Sequence, residues 1–415
     1  MSLLIYRLLL PLYLGVALPG WVLKMARRGG FGSGLLERFG WFRLEPEFEP
    51  CGATHVHAVS VGETLLALKL IDAWRARDPD RRFVLAVATA TGHAVAIGRE
   101  DRSLRVVYQP VDLRACVRRY LDRFEPAGLV LVEGEMWPNL MLECESRGIG
   151  VSLVNARMSP RSRRRYRRFA SWVRPVFSRL ERVAVQEESD AGIWEQLGVA
   201  PAKVRVIGSL KFDPGDGPAP SRREAFQEML AVCRGDRPVV LAASTHAGEE
   251  PLIARAVTGA GGFPLIVPRH AERRQSVRTS LEDAGFEVAL RSDFSPVSET
   301  GVLVVDSTGE LRDWTAHADV VVIGKSFLAE GGQNPAEAVQ AGKPLLFGPH
   351  MENFEPLATR LVEMGGAWRV ADENELAERL KEIIGGTRRP DPELARRVLS
   401  RHAGATGRMI DWLAS

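Results

Sequence analysis

Two glutamates follow short apolar runs in the first half of this chain. Glu63 is a candidate general base, and Glu133 marks a second element of the predicted cleft, for which a capping role of Glu135 is the alternative. Glu63 lies in SVGET at 60–64, where Gly62 allows a tight turn, and Glu133 opens EGEMWPN at 133–139. A carboxylate at a strand end, at the mouth of a cleft, can act as a general base when burial brings its pKa towards the working pH. The alternative for Glu63 is a structural role, because a first-turn glutamate suits the helix dipole.

Lys211, in GSLKFD at 208–213, is the basic residue that we expect near this chemistry. The segment closes the first half of the chain, so Lys211 is predicted to lie near a hinge between two domains. A fixed positive charge there can stabilise negative charge that develops during a reaction. The spacing alone is equally consistent with a solvated lysine.

The stretch 324–354 combines a phosphate-binding with a ribose-binding element. After the glycine pair at 331–332, Asn334 is predicted to cap a helix, with Pro335 at its first position and Glu337 three residues past the cap. The free N–H groups and positive dipole end of such a helix bind anions such as phosphate, and Glu337 can accept hydrogen bonds from ribose hydroxyls. The alternative is an ordinary strand–loop–helix–strand unit whose glycines serve only the turns.

Three further loops of the second half follow predicted strands, where a nucleotide could be held. They are STHAGE at 244–249, PRH at 268–270 and STGEL at 307–311, and Arg269 is the most obvious phosphate partner. No GxGxxG follows a first strand, which disfavours a dehydrogenase. The sequence has no Walker A loop and no aspartate cluster suited to a metal, so we expect chemistry without a bound divalent ion.

A run of arginines between 157 and 168 favours phosphate recognition, because the guanidinium group is a fork-shaped donor. Tyr166 is the only aromatic residue in the run, too few for a nucleic-acid stacking platform. An anionic lipid or a phosphorylated sugar therefore fits better, although such a run is usually a solvated helix face. The seven arginines are Arg157, Arg161, Arg163, Arg164, Arg165, Arg167 and Arg168.

Residues 1–28 are expected to form a membrane-anchor helix. Residues 8–23 are uncharged, and Lys24, Arg27 and Arg28 follow them. This run is shorter than the roughly 20 residues of a perpendicular span, and no clear small-x-small site supports a cleaved signal peptide. The basic residues after the run favour a cytoplasmic domain held at the membrane surface. A plain packing helix is the alternative.

Strands and amphipathic helices alternate from residue 55 onward, which predicts parallel sheets covered on both faces. The sequence therefore predicts an α/β protein with two doubly wound domains and a ligand cleft between them. The expected order is an anchor helix at 1–28, a first domain at 29–213, a linker at 214–220, a second domain at 221–389 and a C-terminal helix at 390–415.

The composition is that of an ordinary globular protein, with 45% hydrophobic residues and a net charge of +3. Nothing in this balance predicts a polyelectrolyte partner. The four cysteines are scattered without a CxxC pair, so we expect reduced thiols in a cytosolic domain, with neither a zinc site nor a disulfide framework.

These motifs, in this order, closely resemble the 3-deoxy-D-manno-octulosonic acid (Kdo) transferases of glycosyltransferase family 30. The resemblance covers nearly the whole chain, and so many ordered matches are highly specific. The matching segments are HAVSVGET at 57–64, EGEMWPN at 133–139, NARMSPRS at 155–162, GSLKFD at 208–213, STHAGEE at 244–250, VPRHAER at 267–273, STGEL at 307–311, GGQNPAEA at 331–338 and GPHMENF at 348–354.

The resemblance implies a GT-B fold and transfer of Kdo from CMP-Kdo to the lipid A precursor (lipid IVA), in lipopolysaccharide core biosynthesis at the cytoplasmic face of the bacterial inner membrane. It implies that Glu63 is the general base of an inverting attack, and that Glu133 and Lys211 stabilise the transition state. The implied CMP-binding residues are Pro268, Arg269, Thr308, Gly309, Glu310, Asn334, Pro335, Ala336 and Glu337. For the lipid acceptor, Arg157, Arg163, Arg164 and Arg165 are the candidate contacts.

Three residues depart from the family pattern, and all lie around the expected nucleotide. Lys325 stands where the family often has glycine, Gln333 where it often has histidine and Thr308 where it often has methionine. A GT-B transferase that uses another nucleotide sugar, such as a UDP-sugar, is the alternative enzyme. A catalytically silent, membrane-associated scaffold is the alternative of a different class. The motifs do not indicate how many Kdo residues are added.

Overall fold

The computed structural model describes residues 2–28, 33–43, 48–134, 136–158, 160–213, 221–298 and 301–415. It divides into two compact units. The first unit is Met1–Asp213 together with His402–Ser415, and the second is Pro214–Arg401. The linker predicted at 214–220 lies outside the described residues.

The first unit is built on a seven-stranded parallel sheet in the order β3-β2-β1-β4-β5-β6-β7. Its strands are β1 (Thr54–Ala58), β2 (Phe83–Val87), β3 (Leu104–Tyr108), β4 (Gly128–Val132), β5 (Val151–Ala156), β6 (Arg182–Val185) and β7 (Val204–Val206). Its helices up to Asp213 are α1 (Ser2–Arg28), α2 (Ser33–Arg38), α3 (Val61–Arg77), α4 (Ala90–Ile97), α5 (Arg114–Phe124), α6 (Pro138–Ser146), α7 (Pro160–Arg168), α8 (Ala170–Phe177) and α9 (Glu188–Gln196).

Alternate residues of the central strands are buried on opposite faces of this sheet. On β2, Val84 and Ala86 belong to one core cluster, whereas Leu85 and Val87 belong to another. Because successive side chains of a strand point to opposite faces, both faces must be covered by other elements. The unit is therefore doubly wound, as the alternation of strands and helices predicted.

The second unit repeats this architecture with a seven-stranded parallel sheet in the order β10-β11-β9-β8-β12-β13-β14. Its strands are β8 (Val239–Thr245), β9 (Phe263–Pro268), β10 (Glu287–Leu290), β11 (Gly301–Val304), β12 (Val320–Ile323), β13 (Leu345–Phe347) and β14 (Trp368–Arg369). Its helices are α10 (Glu224–Arg234), α11 (Glu249–Gly259), α12 (Arg274–Asp283), α13 (Leu311–His317), α14 (Ala336–Gln340), α15 (Leu357–Glu363), α16 (Glu373–Ile384) and α17 (Pro392–Ser400).

The end of the chain forms two helices where the sequence predicted one at 390–415. α17 ends at Ser400, and α18 (Ala405–Ala414) begins after Gly404, whose φ of +70° suits glycine. The carboxylate of Asp213 accepts hydrogen bonds from the backbone N–H of Gly404 (2.9 Å) and of Thr406 (2.7 Å). This distant cap stabilises the start of α18, which lies in the first unit.

α1 is a single helix from Ser2 to Arg28 and is attached to the first unit near its beginning. The hydroxyl of Tyr6 donates to Oδ2 of the buried Asp112 at 2.7 Å, and Nε of Arg7 donates to Oδ1 of Asn139 at 2.8 Å. Across the described segments, none of the helices combines the length and the apolarity needed to cross a bilayer.

Candidate active site

Glu63 lies in the first turn of α3, directly after β1. Its Oε1 accepts a hydrogen bond from the Ser60 hydroxyl at 2.9 Å, and its Oε2 accepts one from the Val59 N–H at 2.8 Å. Ser60, the N-cap, in turn accepts from the Glu63 N–H at 3.3 Å. This reciprocal arrangement is a variant of the capping box. The half-buried carboxylate is thus held in place and keeps lone pairs that can accept a further proton.

Glu133 follows β4 in a left-handed backbone conformation, with φ of +67°. Its N–H donates to the Val154 carbonyl at 2.9 Å, and its own carbonyl accepts from the Arg157 N–H at 3.2 Å. The backbone therefore ties the ends of β4 and β5 together. Its carboxylate lies 3.7 Å from Nε of Arg157 and 3.5 Å from Nδ2 of Asn155. A non-glycine residue held at positive φ marks backbone strain, which often occurs at functional sites.

Asn155 is a central residue of this site that the sequence reasoning did not single out. It is fully buried at the end of β5 with φ of +52°. Its Oδ1 accepts from the Leu210 N–H at 2.9 Å and from the Ser209 hydroxyl at 3.3 Å. Asparagine tolerates the left-handed region better than most residues. The sequence carries no signal of its role, because its partner Leu210 lies 55 residues away along the chain.

Lys211 is positioned by the hydrogen bonds of its neighbours in the 209–213 segment. Nζ of Lys69, on α3, donates to the carbonyl oxygens of Leu210 at 2.8 Å and of Asp213 at 2.5 Å. Together with Asn155, Lys69 fixes this segment from two sides. Lys69 was not predicted, because a lysine within a helix carries no local signal of this role.

The charges of Glu63, Arg157 and Lys211 all act on Glu133. Because three of these four residues are predicted to take part in catalysis, we call them the catalytic cluster. Burial raises the pKa of Glu133, and the charge of Glu63 adds to this, whereas Arg157 and Lys211 oppose it. The pKa of Lys211 is lowered to about 8, because the effects of burial and of the Arg157 charge together exceed the opposing effect of Glu133. The structure therefore brings the three predicted catalytic residues and Arg157 to one edge of the sheet.

The remaining candidate arginines are separated by the geometry of α7. Arg163 is half-buried, and its charge acts on Asp190, whose pKa burial raises to about 6 despite this opposing effect. Arg164 and Arg165 are exposed. The candidates are thus divided between the catalytic cluster, the inner face of α7 and its outer face.

In the second unit, Glu249 organises the loops after β8 and β12. This fully buried carboxylate accepts backbone hydrogen bonds from His246 (3.0 Å), Lys325 (2.5 Å), Ser326 (2.9 Å) and Phe327 (2.9 Å). Four N–H donors fully occupy its oxygens. Glu249 lies within a predicted nucleotide loop, but its position indicates a structural role in shaping that loop.

Glu337, Arg269 and Arg312 form an electrostatic group at the carboxyl-end edge of the second sheet. Burial raises the pKa of Glu337, and the charges of Arg312 and Arg269 oppose this change. Within the described residues, the buried Oε2 of Glu337 has no hydrogen-bond partner. Arg269 is exposed, and its N–H donates to the Thr245 carbonyl at 3.1 Å, directly after the buried Pro268 at the end of β9.

The helix predicted to start at Asn334 begins two residues later and is short. α14 spans only Ala336–Gln340, with Pro335 at the N-cap. The Asn334 side chain accepts from the Ala336 N–H at 3.1 Å, so it caps a turn before the helix. The interpretation of a helix dipole is corrected accordingly, because five residues sum few peptide dipoles. The basic side chains Arg269 and Arg312, which act on Glu337 in this helix, therefore carry the anion-binding potential.

The loop after β11 places its three predicted residues differently. Thr308 and Gly309 are exposed, and Gly309 has φ of +83°. Glu310 is bound by Arg291, whose Nε and Nη2 donate to the two carboxylate oxygens at 2.8 and 3.0 Å, and it also accepts from the Ser307 hydroxyl. These donors lower the pKa of Glu310 against the effect of its burial. Its side chain therefore shapes the loop.

Lys325, one of the three departures, lies beside the imidazole of His246. It has φ of +53°, and a Cβ added to Gly331 would lie 3.3 Å from the Lys325 Nζ. Burial lowers the pKa of His246, and the Lys325 charge lowers it further. Nε2 of Gln333, another departure, is 3.5 Å from Nε2 of His246. The ammonium group of Lys325 makes this position an anion-binding candidate.

The described residues contain no group of three or more His, Cys, Asp or Glu side chains arranged to hold a metal ion. The carboxylates of the catalytic cluster are accompanied by Arg157 and Lys211. These two side chains bring positive charge to this edge of the sheet.

The sequence of this chain is similar to those of known transferases. The family model for 3-deoxy-D-manno-octulosonic-acid transferase (kdotransferase) matches residues 33–214. A 3-deoxy-D-manno-octulosonic acid transferase from Bordetella pertussis is 34% identical over 414 residues, which cover 95% of this chain and 94% of the relative.

Solved structures show the same fold at low sequence identity. A glycosyltransferase from Rickettsia africae is 10% identical with a TM-score of 0.54, covering 86% of this chain and 96% of that one. MurG from Acinetobacter baumannii is 12% identical with a TM-score of 0.53, covering 86% of this chain and 98% of that one. These likenesses, with the two doubly wound sheets, confirm the predicted GT-B fold.

Proposed function

The chain belongs to the 3-deoxy-D-manno-octulosonic acid (Kdo) transferase family, and we propose that it moves Kdo from CMP-Kdo to a lipid A precursor, lipid IVA, with inversion at the anomeric carbon. The observation that carries this proposal is the catalytic cluster, in which an oriented carboxylate is accompanied by a half-buried carboxylate and two cations. In cells, the reaction belongs to lipopolysaccharide core biosynthesis.

Glu63 is the general base of the proposed reaction. Its carboxylate takes the proton of the acceptor hydroxyl while the hydroxyl oxygen bonds to the anomeric carbon of Kdo. The bond between that carbon and the phosphate oxygen of CMP breaks, and CMP leaves with the electron pair. Ser60 and the Val59 N–H fix the direction of the carboxylate, so little reorganisation is needed as the proton moves.

Lys211 and Glu133 act on the charge that develops in the transition state. The ammonium group of Lys211 stabilises the negative charge that builds up on the departing phosphate. Glu133, held at the end of β4, keeps Arg157 in place and opposes the loss of the Lys211 proton. Asn155 and Lys69 act as positioning residues, because they fix the backbone of the 209–213 segment.

The second unit supplies the proposed donor site. Arg269, next to the turn at Asn334–Ala336, binds the CMP phosphate, while the unpaired Oε2 of Glu337 accepts from a ribose hydroxyl. Pro268, Thr308 and Gly309 line the nucleotide, and Glu310 orders their loop through Arg291. Catalysis needs no metal in this scheme, because arginine and lysine supply the positive charge.

Lys325 and His246 are proposed to bind the carboxylate of the donor sugar. A donor that carries both a phosphate and a carboxylate presents two negative groups, and the second unit offers two separate cationic positions, Arg269 and Lys325. In this proposal Arg269 binds the single phosphate of CMP-Kdo and Lys325 binds its carboxylate. Because the diphosphate of a UDP-sugar also carries two negative groups, the donor has to be identified by turnover.

The lipid acceptor and the membrane surface are proposed to contact the first unit. Leu4, Leu8, Leu12 and Val16 form a stripe along α1, and each is at least 62% exposed. Exposed apolar stripes of this size mark contact surfaces, and the exposed arginines of α7 complement anionic lipids. α1 thus lies on the inner membrane as an anchor, at its cytoplasmic face.

The test uses the purified protein with CMP-Kdo and a tetraacylated bisphosphorylated glucosamine disaccharide. Mass analysis should show products that carry added Kdo, and their masses give the number of residues transferred. UDP-sugars offered in parallel should give no product. Turnover with a UDP-sugar but none with CMP-Kdo would reject the proposal. Absence of turnover with every donor, in a folded protein, would favour the scaffold.

A further inference from the structure

A cavity of about 200 Å³ lies in the first unit between α1, α7, α8 and the segment before α6. All nine lining side chains are apolar or aromatic, and Leu3, Pro138, Val173 and Phe177 are among them. Tyr6 lines it as well, with its hydroxyl directed to Asp112. An apolar cavity of this kind binds an apolar ligand, because water gains no hydrogen bonds there.

We propose that this cavity binds a fatty-acyl chain of the phosphorylated lipid acceptor, with an acceptor phosphate held by the arginines of α7. This inference rests on the proposed function and extends it to a specific subsite. It assigns to α1 a direct part in acceptor binding, in addition to its contact with the membrane.

The occupant is indicated first by the charges next to the cavity. Tyr166 of α7 lines the cavity, and Arg163 precedes it by three residues, on the same face of the helix. The buried Nε–H of Arg163 has no acceptor among the described residues. A phosphate oxygen would satisfy this donor, and the exposed Arg164 and Arg165 add further positive charge. Acyl chain and phosphate together describe a phosphorylated lipid.

The position of the cavity along the chain favours the acceptor over a lipid of the bilayer. Met136 and Pro138 line the cavity, and they follow Glu133 of the catalytic cluster by three and five residues. A lipid held here is therefore connected through one short segment to the residues proposed for the chemistry. At the edge of the cavity, Trp172 is 46% exposed, which leaves an entry from the surface.

Two substitutions of the same type test the cavity. Val173→Phe places a larger side chain in it, whereas Val232→Phe makes the same change at a position of α10 in the second unit that is 56% exposed. The first probe is lysophosphatidic acid, which has one acyl chain and one phosphate, measured by titration calorimetry below its micelle concentration. We expect Val173→Phe to weaken binding about tenfold or more, and Val232→Phe to bind as the unsubstituted protein does.

Kinetics distinguish the acceptor from other lipids. With the tetraacylated disaccharide, Val173→Phe should raise the KM for the acceptor about tenfold while the KM for CMP-Kdo stays unchanged. With the fully deacylated disaccharide, Val173→Phe and Val232→Phe should behave alike. Trp172→Ala, at the half-exposed edge of the cavity, is the second variant. Thermal melting of each variant shows whether the fold is retained.

The outcomes separate this inference from the proposed function. Undiminished lysophosphatidic acid binding by a folded Val173→Phe variant would overturn the cavity assignment even if Kdo transfer is active. Loss of that binding without any change in acceptor KM would assign the cavity to a bilayer lipid and overturn the acceptor assignment. If no Kdo is transferred but binding depends on Val173, the acyl site stands and the proposed reaction fails.

Discussion

Ser60 and Glu63 hydrogen-bond each other in both directions: the Ser60 hydroxyl donates to the Glu63 carboxylate at 2.9 Å and accepts from the Glu63 N–H at 3.3 Å. The Glu63 carboxylate therefore stabilises the start of α3, and the Ser60 hydroxyl fixes its orientation in return. The structural and catalytic interpretations of Glu63 are compatible, and they can be separated by experiment.

Glu63→Gln should retain the fold and lose the chemistry. Glutamine keeps an oxygen that accepts from Ser60 and Val59, but it cannot take a proton. We expect turnover to fall about 100-fold or more, with melting temperature and CMP affinity nearly unchanged. Ser60→Ala is the matched control, since it weakens the cap by about 1 kcal/mol and keeps the base. Equal losses of turnover in the two variants would remove Glu63 from the base role.

Lys211 should give the reaction an alkaline limit. Its pKa is lowered to about 8, so the ammonium form is present below that pH and is lost as the pH rises through it. Turnover should therefore decline above about pH 8. Lys211→Arg keeps its charge throughout this range, so its profile should stay flat there even at a lower maximum rate. An unchanged alkaline limb in this variant would assign the limit to another group.

Lys325→Gly should stabilise the fold and weaken donor binding. Lysine at φ of +53° is strained, and glycine relieves such strain by about 1 kcal/mol. The backbone N–H that donates to Glu249 is retained. The KM for CMP-Kdo should rise about tenfold through loss of a charge-assisted contact. A raised melting temperature with an unchanged donor KM would exclude Lys325 from the donor site.

Tyr6→Phe should loosen α1 while leaving the catalytic cluster intact. The change removes one hydrogen bond to Asp112, which retains the N–H donors of Asn139 and Leu140. We expect a loss of about 1 kcal/mol in unfolding free energy and faster proteolysis within α1. The KM for the donor should not change. Tyr13→Phe is the control, because Tyr13 is 68% exposed, and equal proteolysis of both variants would argue against the contact.

His57 should make the first unit sensitive to acid. Burial lowers its pKa to about 3, well below the unfolded value of about 6.5. As the pH falls through this window, the unfolded chain binds a proton that the native state excludes, so stability is lost on acidification. The contribution approaches about 1.4 kcal/mol for each pH unit. Urea denaturation at pH 7 and pH 5 should show a smaller loss for a folded His57→Gln variant; an equal loss would contradict this role.

The sequence predicted the features that depend on local pattern. The apolar run before Glu133 forms β4 (Gly128–Val132), because a strand buried on both faces needs continuous apolar residues. Glu63 and Glu133 were each expected after such a run, and the carboxyl ends of parallel strands share one edge of a sheet. The ordered motifs added the family.

The features that were missed depend on contacts distant in sequence. Asn155 binds the segment at Leu210, and Asp213 caps a helix near residue 405. Glu249 lies in a predicted nucleotide loop, yet three of the four N–H groups that donate to its carboxylate, such as that of Ser326, are more than 75 residues away in sequence. Composition and periodicity carry no signal for such pairs. The short α14 was overestimated because Asn-Pro is an equally good start for a turn.

α18 follows the second unit in sequence but packs in the first unit, and this affects how chimeras should be made. A fragment that ends at Asp213 lacks Met409 and Ile410, which are buried in a core cluster of the first unit. It also lacks Gly404 and Thr406, whose N–H groups donate to the Asp213 carboxylate. A chimera made to exchange nucleotide specificity with a relative should therefore replace residues 214–401 only. Residues 1–213 and 402–415 should both come from the same protein.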